Sequence, residues 1–482
     1  MAKIWKTHLV IGLFLCVILA TYSLSSGAQV QVVPPEATQM TALRKSFDAK
    51  VDAYSGRMIE MNDYLYHNPE SGFLEFKTSK MLTDELEKHG FVVEKGIPGL
   101  EPNYDKLKLI GGLMKDYKGP SGLPTAFRAK YKGKSDHPVI AFMPDFDALR
   151  GDPPFHGCQH NQQGPAALGA AIALGKVMEE NNLPGSVWVI GIPAEEVGPP
   201  PKVAAAKAGY VKGIDFMIRS HGTVDKTERE GGGFACCCGS IRQMKYTFYG
   251  KSAHASRPWQ GASALDAVFQ LFNGMNMLRQ VSEPQFRFMG VVTDGGVAPN
   301  IIPEMASATI WIRHFADETK VGKVSPNKAQ GMIDAKVEQL NNIAKGAALA
   351  TGSRVEIDQY GRYVPGISVG AMNDLAFQYG VEYGGANIQE KPIPPDNGGW
   401  DETGSVSILF PGTRVAVGVA GMPQVAGHSI ENANVSISPV GHKGLILTGK
   451  VMGAIGLRLV MDPEVRKKAE EEHAGWLKRY NE

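Results

Sequence analysis

Cysteine is scarce in this sequence of 482 residues, and neither sign of charge dominates. The chain has 5 cysteines, and its 50 lysines and arginines are balanced by 49 aspartates and glutamates. So few cysteines over this length exclude a disulfide-stabilised scaffold. A net charge near zero without a long basic run excludes the electrostatic footprint of a nucleic-acid-binding protein.

Apolar residues and glycine are what the sequence has in quantity. Hydrophobic residues make up 43% of the chain and charged residues 21%. This balance excludes an intrinsically disordered protein and predicts two to four domains' worth of buried core. Glycine accounts for 56 residues, about 12% against the usual roughly 7%. The excess predicts tight turns or backbone that passes close to ligands.

The first residues have the pattern of a targeting segment. Lys3 and Lys6 precede an apolar run at residues 9–20, and small residues follow at 25–28. This pattern predicts a signal peptide over residues 1–28 that is cleaved near Ala28. A retained N-terminal anchor is the alternative, although the apolar run is short for a membrane span. We therefore expect an exported protein, periplasmic or secreted, with no membrane attachment after cleavage.

Strand-like and helix-like segments alternate from about residue 45. Strands separated by single helices predict an α/β fold with a mainly parallel sheet covered by helices. The predicted strands are 139–143, 187–190 and 216–218, and the predicted helices are 164–180 and 202–210.

The pattern changes near residue 240. Half-exposed strands and two longer helices predict a smaller α+β domain inserted at 240–358. The expected organisation is a signal peptide at 1–28, a first part of the α/β domain at 45–239, the insert, and a second part at 359–482. The strands predicted in the insert are 243–249, 286–292, 306–313 and 354–358, and the helices are 262–279 and 327–350.

Metal-binding residue types follow each predicted parallel strand. Cys158 and His160 come soon after the first strand, Glu195 and Glu196 end the second, and His221 ends the third. Open α/β sheets bind ligands at this edge. Thiolate, imidazole and carboxylate together suit a borderline ion such as Zn²⁺, Mn²⁺, Co²⁺ or Ni²⁺.

The pair Glu195 and Glu196 allows a division of labour, because neighbouring side chains at a strand end point in different directions. One carboxylate can bind metal while the other deprotonates water and later protonates the leaving amine. Each feature also has an ordinary explanation. Paired glutamates are usually solvated, a single histidine is often structural, and free cysteine packs as a small apolar residue. The residues alone leave both explanations open.

A series of motifs resembles the aminoacylase and carboxypeptidase family of metal-dependent amidohydrolases, in its aminobenzoyl-glutamate hydrolase-like branch. These motifs cover about residues 45–460. They are 67–70, 75–78, 122–127, 145–149, 156–161, 193–196, 250–255, 295–304, 427–429 and 441–444.

The resemblance implies a role for each matching residue. Glu195 is implied as the general base, and Asp147 as a group that orients the site. The implied metal ligands, holding one or two divalent ions, are Cys158, His160, Glu196, His221 and His428.

The insert resembles the family's lid and dimerisation domain, which implies a homodimer. We expect His254 to approach the metal centre of the partner subunit and to donate to the oxyanion of the tetrahedral intermediate. Asn300 and Arg313 match residues that hold the substrate carbonyl or carboxylate. The implied substrate is a small N-acyl amino acid or dipeptide-like amide of the aminobenzoyl-glutamate type.

The sequence departs from the family pattern in several places. Gln159 replaces a glycine between two implied ligands, and Gln162 and Gln163 follow where small or leucine residues are usual. A stiff segment at 197–201 follows the implied base, and residues 400–404 replace a Ser-Thr-Asp-like motif. The triplet 236–238 is three cysteines that fit none of these roles, for which simple packing is the preferred explanation.

Two other functions fit the residues. One is a thiol hydrolase that uses Cys158 with a histidine. The other is a catalytically silent exported binding protein on the same fold, suggested by Gln159 and the proline-rich segment.

Overall fold

The computed structural model describes residues 38–98, 122–197, 200–222, 227–228, 240–314, 326–367, 369–384, 388–389 and 403–480. The predicted signal peptide, the cysteine triplet 236–238 and residues 400–402 lie outside the described residues.

Helices cover much of the described chain, and their bounds are as follows. They are α1 (Thr38–His67), α2 (Phe76–Lys88), α3 (His160–Glu180), α4 (Pro201–Lys207), α5 (Ala264–Gln280), α6 (Pro326–Thr351), α7 (Gly370–Gly384), α8 (Thr403–Val406), α9 (Ile430–Ser436), α10 (Pro439–Met461) and α11 (Pro463–Tyr480).

The strands are mostly short. They are β1 (Val92–Ile97), β2 (Leu123–Lys132), β3 (Val139–Phe142), β4 (Ser186–Gly191), β5 (Phe216–Ser220), β6 (Thr227–Glu228), β7 (Ser240–Tyr249), β8 (Ala253–His254), β9 (Phe286–Asp294), β10 (Ile301–Ile302), β11 (Met305–His314), β12 (Arg354–Tyr363), β13 (Ile388–Gln389) and β14 (Gly412–Val415).

The larger sheet has the order β1-β2-β4-β3-β5-β14. Its pairs β4–β3, β3–β5 and β5–β14 are parallel, whereas β1–β2 and β2–β4 are antiparallel. The predicted mainly parallel sheet is therefore confirmed. All four residues of β3 are buried, as expected for a central strand covered on both faces.

Helices α1, α3 and α10 pack together, and α3 and α10 also pack against this sheet. Close packing depends on small residues: a Cβ at Gly453 of α10 would lie 2.1 Å from the Phe47 ring of α1. Helix α10 is the one helix in the described part of the chain long and apolar enough to cross a membrane. Because 78% of its most apolar 18-residue stretch is buried inside the protein, we interpret α10 as a core helix.

The inserted domain is a four-stranded antiparallel sheet of order β12-β7-β11-β9. Helices α5 and α6 pack on it and on each other, as the sequence predicted for an α+β insert. Their shared core includes Leu271, Ile310 and Leu340, each fully buried. Strand β12 continues past residue 358 as far as Tyr363, which lies opposite Ile241 of β7.

Candidate metal centre and active site

The candidate site lies at the carboxyl edge of the parallel strands. Asp147 follows β3, Glu195 and Glu196 follow β4, and His221 follows β5 directly. His160 is the first residue of α3, which follows the loop after β3. This edge is where open α/β sheets place their ligands.

Cys158, His160 and His221 form one group of potential metal ligands, with one ligand atom from each within 4.8 Å of the others. The Cys158 Sγ atom lies 3.3 Å from His221 Nε2. Thiolate with two imidazoles is a ligand set that suits zinc and its neighbours.

Two further groups overlap with the first. Cys158, Glu196 and His428 form one, and His160, Glu195 and Glu196 form the other. His160 Nε2 and Glu196 Oε1 are buried without a hydrogen-bond partner and lie 3.7 Å apart. Buried polar atoms are rarely left in this state, and a cation between them would satisfy both. The residues present therefore fit a metal centre, and Cys158 belongs to two of its groups.

Asp147 holds two of these residues in place. Its Oδ1 lies 3.2 Å from His160 Nδ1, and its Oδ2 accepts a hydrogen bond from the Glu196 backbone N–H at 2.9 Å. The His160 Nδ1 atom also lies 3.1 Å from the Asp147 carbonyl oxygen. Two acceptors at Nδ1 keep the proton there and leave the Nε2 lone pair for a metal.

Asp145, the neighbouring carboxylate, has a different environment. Its Oδ1 lies 2.5 Å from the Nζ of buried Lys202, and its Oδ2 lies 3.8 Å from Arg219. These cations hold the pKa of Asp145 at about 2, against the opposing effect of burial. Asp145 therefore forms ion pairs with two buried cations.

Left-handed backbone is concentrated here. Gln159, Ala194 and His428 have φ values of 59°, 65° and 61°. Non-glycine residues avoid this region at a cost of about 1–2 kcal/mol each. Gln159 lies between two proposed ligands, Ala194 precedes the proposed base, and His428 is itself a proposed ligand. Backbone strain at these three residues indicates that the fold enforces the geometry of this site.

The electrostatics separate the roles of the side chains. Burial, reinforced by the Glu196 charge, raises the pKa of Glu195 well above its usual range. Burial raises the pKa of the Cys158 thiol to about 12. Burial and the charge of Arg414 lower the pKa of His221 well below its usual range, which favours a neutral imidazole able to bind metal.

A cavity of about 480 Å³ opens onto this centre. Arg313, which the resemblance implies as a substrate-binding residue, lines this cavity from β11 of the inserted domain. The prediction missed Trp311, Tyr363 and Arg414, although the alternation of β11 places Trp311 on the same face as Arg313. The cavity is lined by Leu149, Cys158, Glu195, Glu196, His221, Trp311, Arg313, Tyr363, Arg414, Gly427 and His428.

His254 and Asn300 are placed elsewhere. His254 ends the short exposed strand β8 and Asn300 directly precedes its partner strand β10, where the Ala255 N–H donates to the Asn300 carbonyl oxygen at 3.0 Å. Neither is among the residues that line the Glu195 cavity. Within one chain, the structure does not bring these two residues to the proposed ligands.

The unusual glutamines after His160 have structural roles. Gln162 donates from Nε2 to the carbonyl oxygens of Ser436 and Gly441, each at 3.1 Å. Gln163 accepts a hydrogen bond from the Asp145 N–H at 3.1 Å. They connect the start of α3 to the C-terminal helices and to the end of β3, a function that small residues could not serve.

Several known proteins resemble this chain in sequence. Residues 240–343 match the peptidase dimerisation domain of the M20 type. The Xaa-Arg dipeptidase of Homo sapiens is 26% identical over 443 residues, covering 88% of this chain and 90% of that protein. One of the p-aminobenzoyl-glutamate hydrolase polypeptides of Escherichia coli is 28% identical over 337 residues, covering 66% of this chain and 60% of that polypeptide.

Solved structures show the same fold. A dinuclear metal-binding peptidase of the M20 family from Bacillus subtilis matches with a TM-score of 0.55 and 20% identity, over 85% of this chain and 99% of that one. The inserted domain and the relatives are those of the predicted enzyme class, the metal-dependent peptidases and amidohydrolases. Within that class the chain has the architecture of the M20 metal-binding peptidases, which confirms the resemblance and the predicted enzyme class.

Proposed function

We propose that this protein hydrolyses the amide bond of a small N-acyl amino acid or dipeptide-like substrate with a free carboxylate. The observation that carries the proposal is the ligand cluster around Cys158 and His160 with Glu195 at its edge. Relatives named as a dipeptidase and an aminobenzoyl-glutamate hydrolase support the same substrate class.

The two groups that share Cys158 could hold one or two divalent ions. His160 and His221 complete one position with Cys158, and Glu196 and His428 complete the other. Divalent ions here would polarise the scissile carbonyl and lower the pKa of the attacking water.

Glu195 is proposed as the general base and then the general acid. It lines the cavity, and its Oε2 lies 3.9 Å from His160 Nε2. Because burial raises the pKa of Glu195, its carboxylate can take the proton of the attacking water and hold it. The same proton then passes to the leaving nitrogen, which completes the cleavage of the C–N bond.

His254 is proposed to donate to the developing oxyanion in the partner subunit's site. Its Nδ1 accepts a hydrogen bond from the Ser256 backbone N–H at 3.1 Å. Since a backbone N–H can only donate, Nδ1 is the acceptor and the proton of neutral His254 lies on Nε2. The Nε2–H is therefore the donor that the exposed ring offers to another chain.

A homodimer through the inserted domain is part of this proposal. Strand β9 is an edge strand with Met289, Val291 and Val292 at 43%, 62% and 44% exposure, and Phe269 and Met277 are exposed on α5. An unprotected apolar edge strand is unusual on a monomer. Pairing of two β9 edges would bury this surface.

The preference for an anionic substrate is supported by two arginines that line the cavity. Arg313 comes from β11 of the inserted domain and Arg414 from β14 of the α/β domain. Guanidinium groups are suited to carboxylates, and no lysine is among the described residues that line this cavity.

Esterifying or amidating the substrate carboxylate should lower kcat/KM by at least about 10-fold, which corresponds to roughly one charge-assisted interaction.

The electrostatics of the metal-free site disfavour the thiol hydrolase. A nucleophilic cysteine needs a lowered thiol pKa, whereas burial raises the pKa of Cys158 to about 12. The silent binding protein differs from the proposed enzyme by turnover alone.

Metal analysis with a substrate panel tests the proposal. We expect bound divalent metal, turnover of some N-acyl amino acids or dipeptides, loss of turnover on exhaustive chelation, and recovery on adding Mn²⁺ or Zn²⁺. An undiminished rate after chelation would favour the thiol hydrolase. Bound metal with no turnover on any panel member would favour the silent binding protein.

Export is a separate proposal, supported by the lysines and apolar run before residue 28. Sequencing the N-terminus of protein recovered from an expressing bacterium tests it. A mature terminus near residue 29 is expected, and an intact Met1 in the soluble fraction would contradict it.

A further inference from the structure

Gln159 separates two proposed ligands in the chain, and its backbone is left-handed with φ 59° and ψ 29°. A glycine at this position would avoid the strain of about 1 kcal/mol. The side chain is nevertheless buried, with 2% exposure. The strain is therefore accompanied by contacts that only this side chain makes.

Those contacts reach the loop that carries His428. The Gln159 Nε2 atom donates to the Asn432 Oδ1 at 2.8 Å and to the Asn432 carbonyl oxygen at 3.1 Å. On its other side the side chain fills the space beside Gly222, where an added Cβ would lie 2.6 Å from Gln159 Oε1. Gln159 thus lies between the residue after His221 and the helix after His428.

Asn432 closes the connection back to the cysteine loop. Its Nδ2 donates to the Gly157 carbonyl oxygen at 2.7 Å, and the His428 backbone N–H donates to the same oxygen at 2.9 Å. Ser429 caps α9 by accepting from the Asn432 N–H at 3.0 Å. A single bonded ring therefore links residues 157–159 to residues 428–432.

His428 is the proposed ligand that most needs this support. Its side chain is 58% exposed, whereas that of His160 is 1% exposed. Its backbone is left-handed, and it belongs to a loop rather than to a helix or strand. Packing alone does not hold an exposed imidazole in one place, so its position depends on the backbone bonds of its loop.

We infer that Gln159 is a positioning residue that fixes His428 and thereby sets the occupancy of the metal position formed by Cys158, Glu196 and His428. The inference rests on the proposed function, because it takes that cluster to bind metal. The position formed with His160 and His221 shares Cys158 but includes no side chain from the loop of His428. Loss of the Gln159 contacts should weaken one position about 10- to 100-fold and leave the other unchanged.

The inference is tested by removing bound metal with a chelator and then titrating the protein with Mn²⁺. Binding is measured by calorimetry and by electron paramagnetic resonance. Wild type is expected to bind two ions in two steps and to show the signature of a coupled pair. In Gln159→Gly the affinity of the tighter step should be unchanged, and the affinity of the weaker step should fall about 10- to 100-fold. At limiting Mn²⁺ this variant should show the spectrum of isolated ions. Its melting temperature should not fall enough to explain this, since glycine relieves the left-handed strain.

Two matched variants separate positioning from backbone effects. Asn182→Gly relieves a left-handed residue of φ 51° on an exposed turn, and it should leave both steps unchanged. Gln159→Met keeps most of the side-chain volume against Gly222 but removes the donors, so it should reproduce the loss. It also replaces Gln159→Gly as the test if the glycine variant does not fold.

The outcomes distinguish this inference from the proposed function. Two unchanged steps in both Gln159 variants would overturn the inference and leave the metal centre intact. A wild type that binds no Mn²⁺ would instead overturn the proposed metal centre. Equal weakening of both steps would show that Gln159 supports the whole site, which also overturns the selective role.

Discussion

Among the residues that are not proposed to bind metal, Asp147 contributes most to the arrangement of the site. It accepts from the Glu196 N–H and faces His160 Nδ1, so one carboxylate orients two proposed ligands. The resemblance pointed to this residue, because spacing alone does not distinguish Asp147 from Asp145. Only the structure shows that Asp145 forms an ion pair with Lys202.

Asp147→Asn should lower the affinity for the first metal ion by about 10- to 100-fold, because the amide can serve only one of the two contacts as an acceptor. Equilibrium titration with Zn²⁺ against a competing chelator measures this. Asp63→Asn is the matched control, since Asp63 also contacts a histidine, His442 at 2.7 Å, outside the site. Equal affinities for the two variants would contradict the role of Asp147.

Glu75 is a buried carboxyl group behind the proposed base. It accepts from the Ala194 N–H at 2.8 Å and from the Thr125 hydroxyl at 3.1 Å, with 0% exposure. Burial first, and then the charge of Asp147, raise the pKa of Glu75 from 4.5 to about 8. The folded protein therefore holds this proton more tightly than the unfolded chain.

The linkage predicts a pH effect on stability. Between about pH 4.5 and 8 the unfolded chain has released the Glu75 proton and the folded protein has not, so the contribution of Glu75 to stability falls as pH rises through this range. Glu75→Gln keeps an acceptor for Ala194 and removes the titration. The unfolding free energy of the variant relative to wild type, measured without metal by denaturant, should rise by about 1.4 kcal/mol per pH unit and level off above about pH 8. A constant difference across the range would contradict this.

At the scale of elements, the strands and helices that carry the site were predictable because their hydrophobic patterns are strong. Strand β3 is a short apolar run and lies where the sequence places it, whereas the alanine-rich helix α3 begins at His160, four residues before the predicted start. The end of β12 was placed too early because the chain bends at an irregularity between Gln359 and Gly361 and then continues pairing. A bulge leaves no simple periodic signal.

The cavity wall was not predictable in the same way. Arg414 comes from the short strand β14, whose place beside β5 is a matter of long-range pairing. The Gln159 ring joins residues more than two hundred positions apart in the sequence. A single sequence shows residue types and local spacing, whereas these contacts depend on how distant parts of the chain meet at the site.

The exposed edge of the inserted domain supports a prediction about assembly. Val291→Arg on β9 should shift the protein from dimer to monomer in sedimentation velocity, because a buried unpaired charge opposes apolar association by several kcal/mol. Leu349→Arg is the control, since Leu349 is 85% exposed on α6 of the same domain. A dimeric Val291→Arg protein, or a monomeric control, would contradict the β9 interface.

At the scale of the assembled protein, we propose that each site is built from two chains. The Glu195 cavity is lined by Arg313 and by the proposed ligands other than His160, whereas His254 lies in the exposed strand β8 and does not line it. If each site uses the partner subunit's His254, two inactive variants can complement each other. This arrangement also explains why a lid domain would carry a dimerisation surface.

Mixing Glu195→Gln with His254→Ala protein tests this arrangement. After subunit exchange, about half of the dimers are mixed and each has one intact site, so activity should recover to about a quarter of the wild-type value. Each variant alone should stay inactive, and wild type mixed with itself serves as the exchange control. No recovery after verified exchange would show that His254 acts within its own chain or not at all.

Glu195→Gln, measured for metal content and turnover in the same preparation, is the sharpest test of the proposed hydrolysis. We predict unchanged metal stoichiometry and a fall in kcat of at least about 100-fold, because the amide cannot accept the proton of water. Glu70→Gln serves as a control, since Glu70 caps α2 through Thr78 outside the cavity. Retained turnover by Glu195→Gln with metal bound would contradict the assignment of Glu195 as the base.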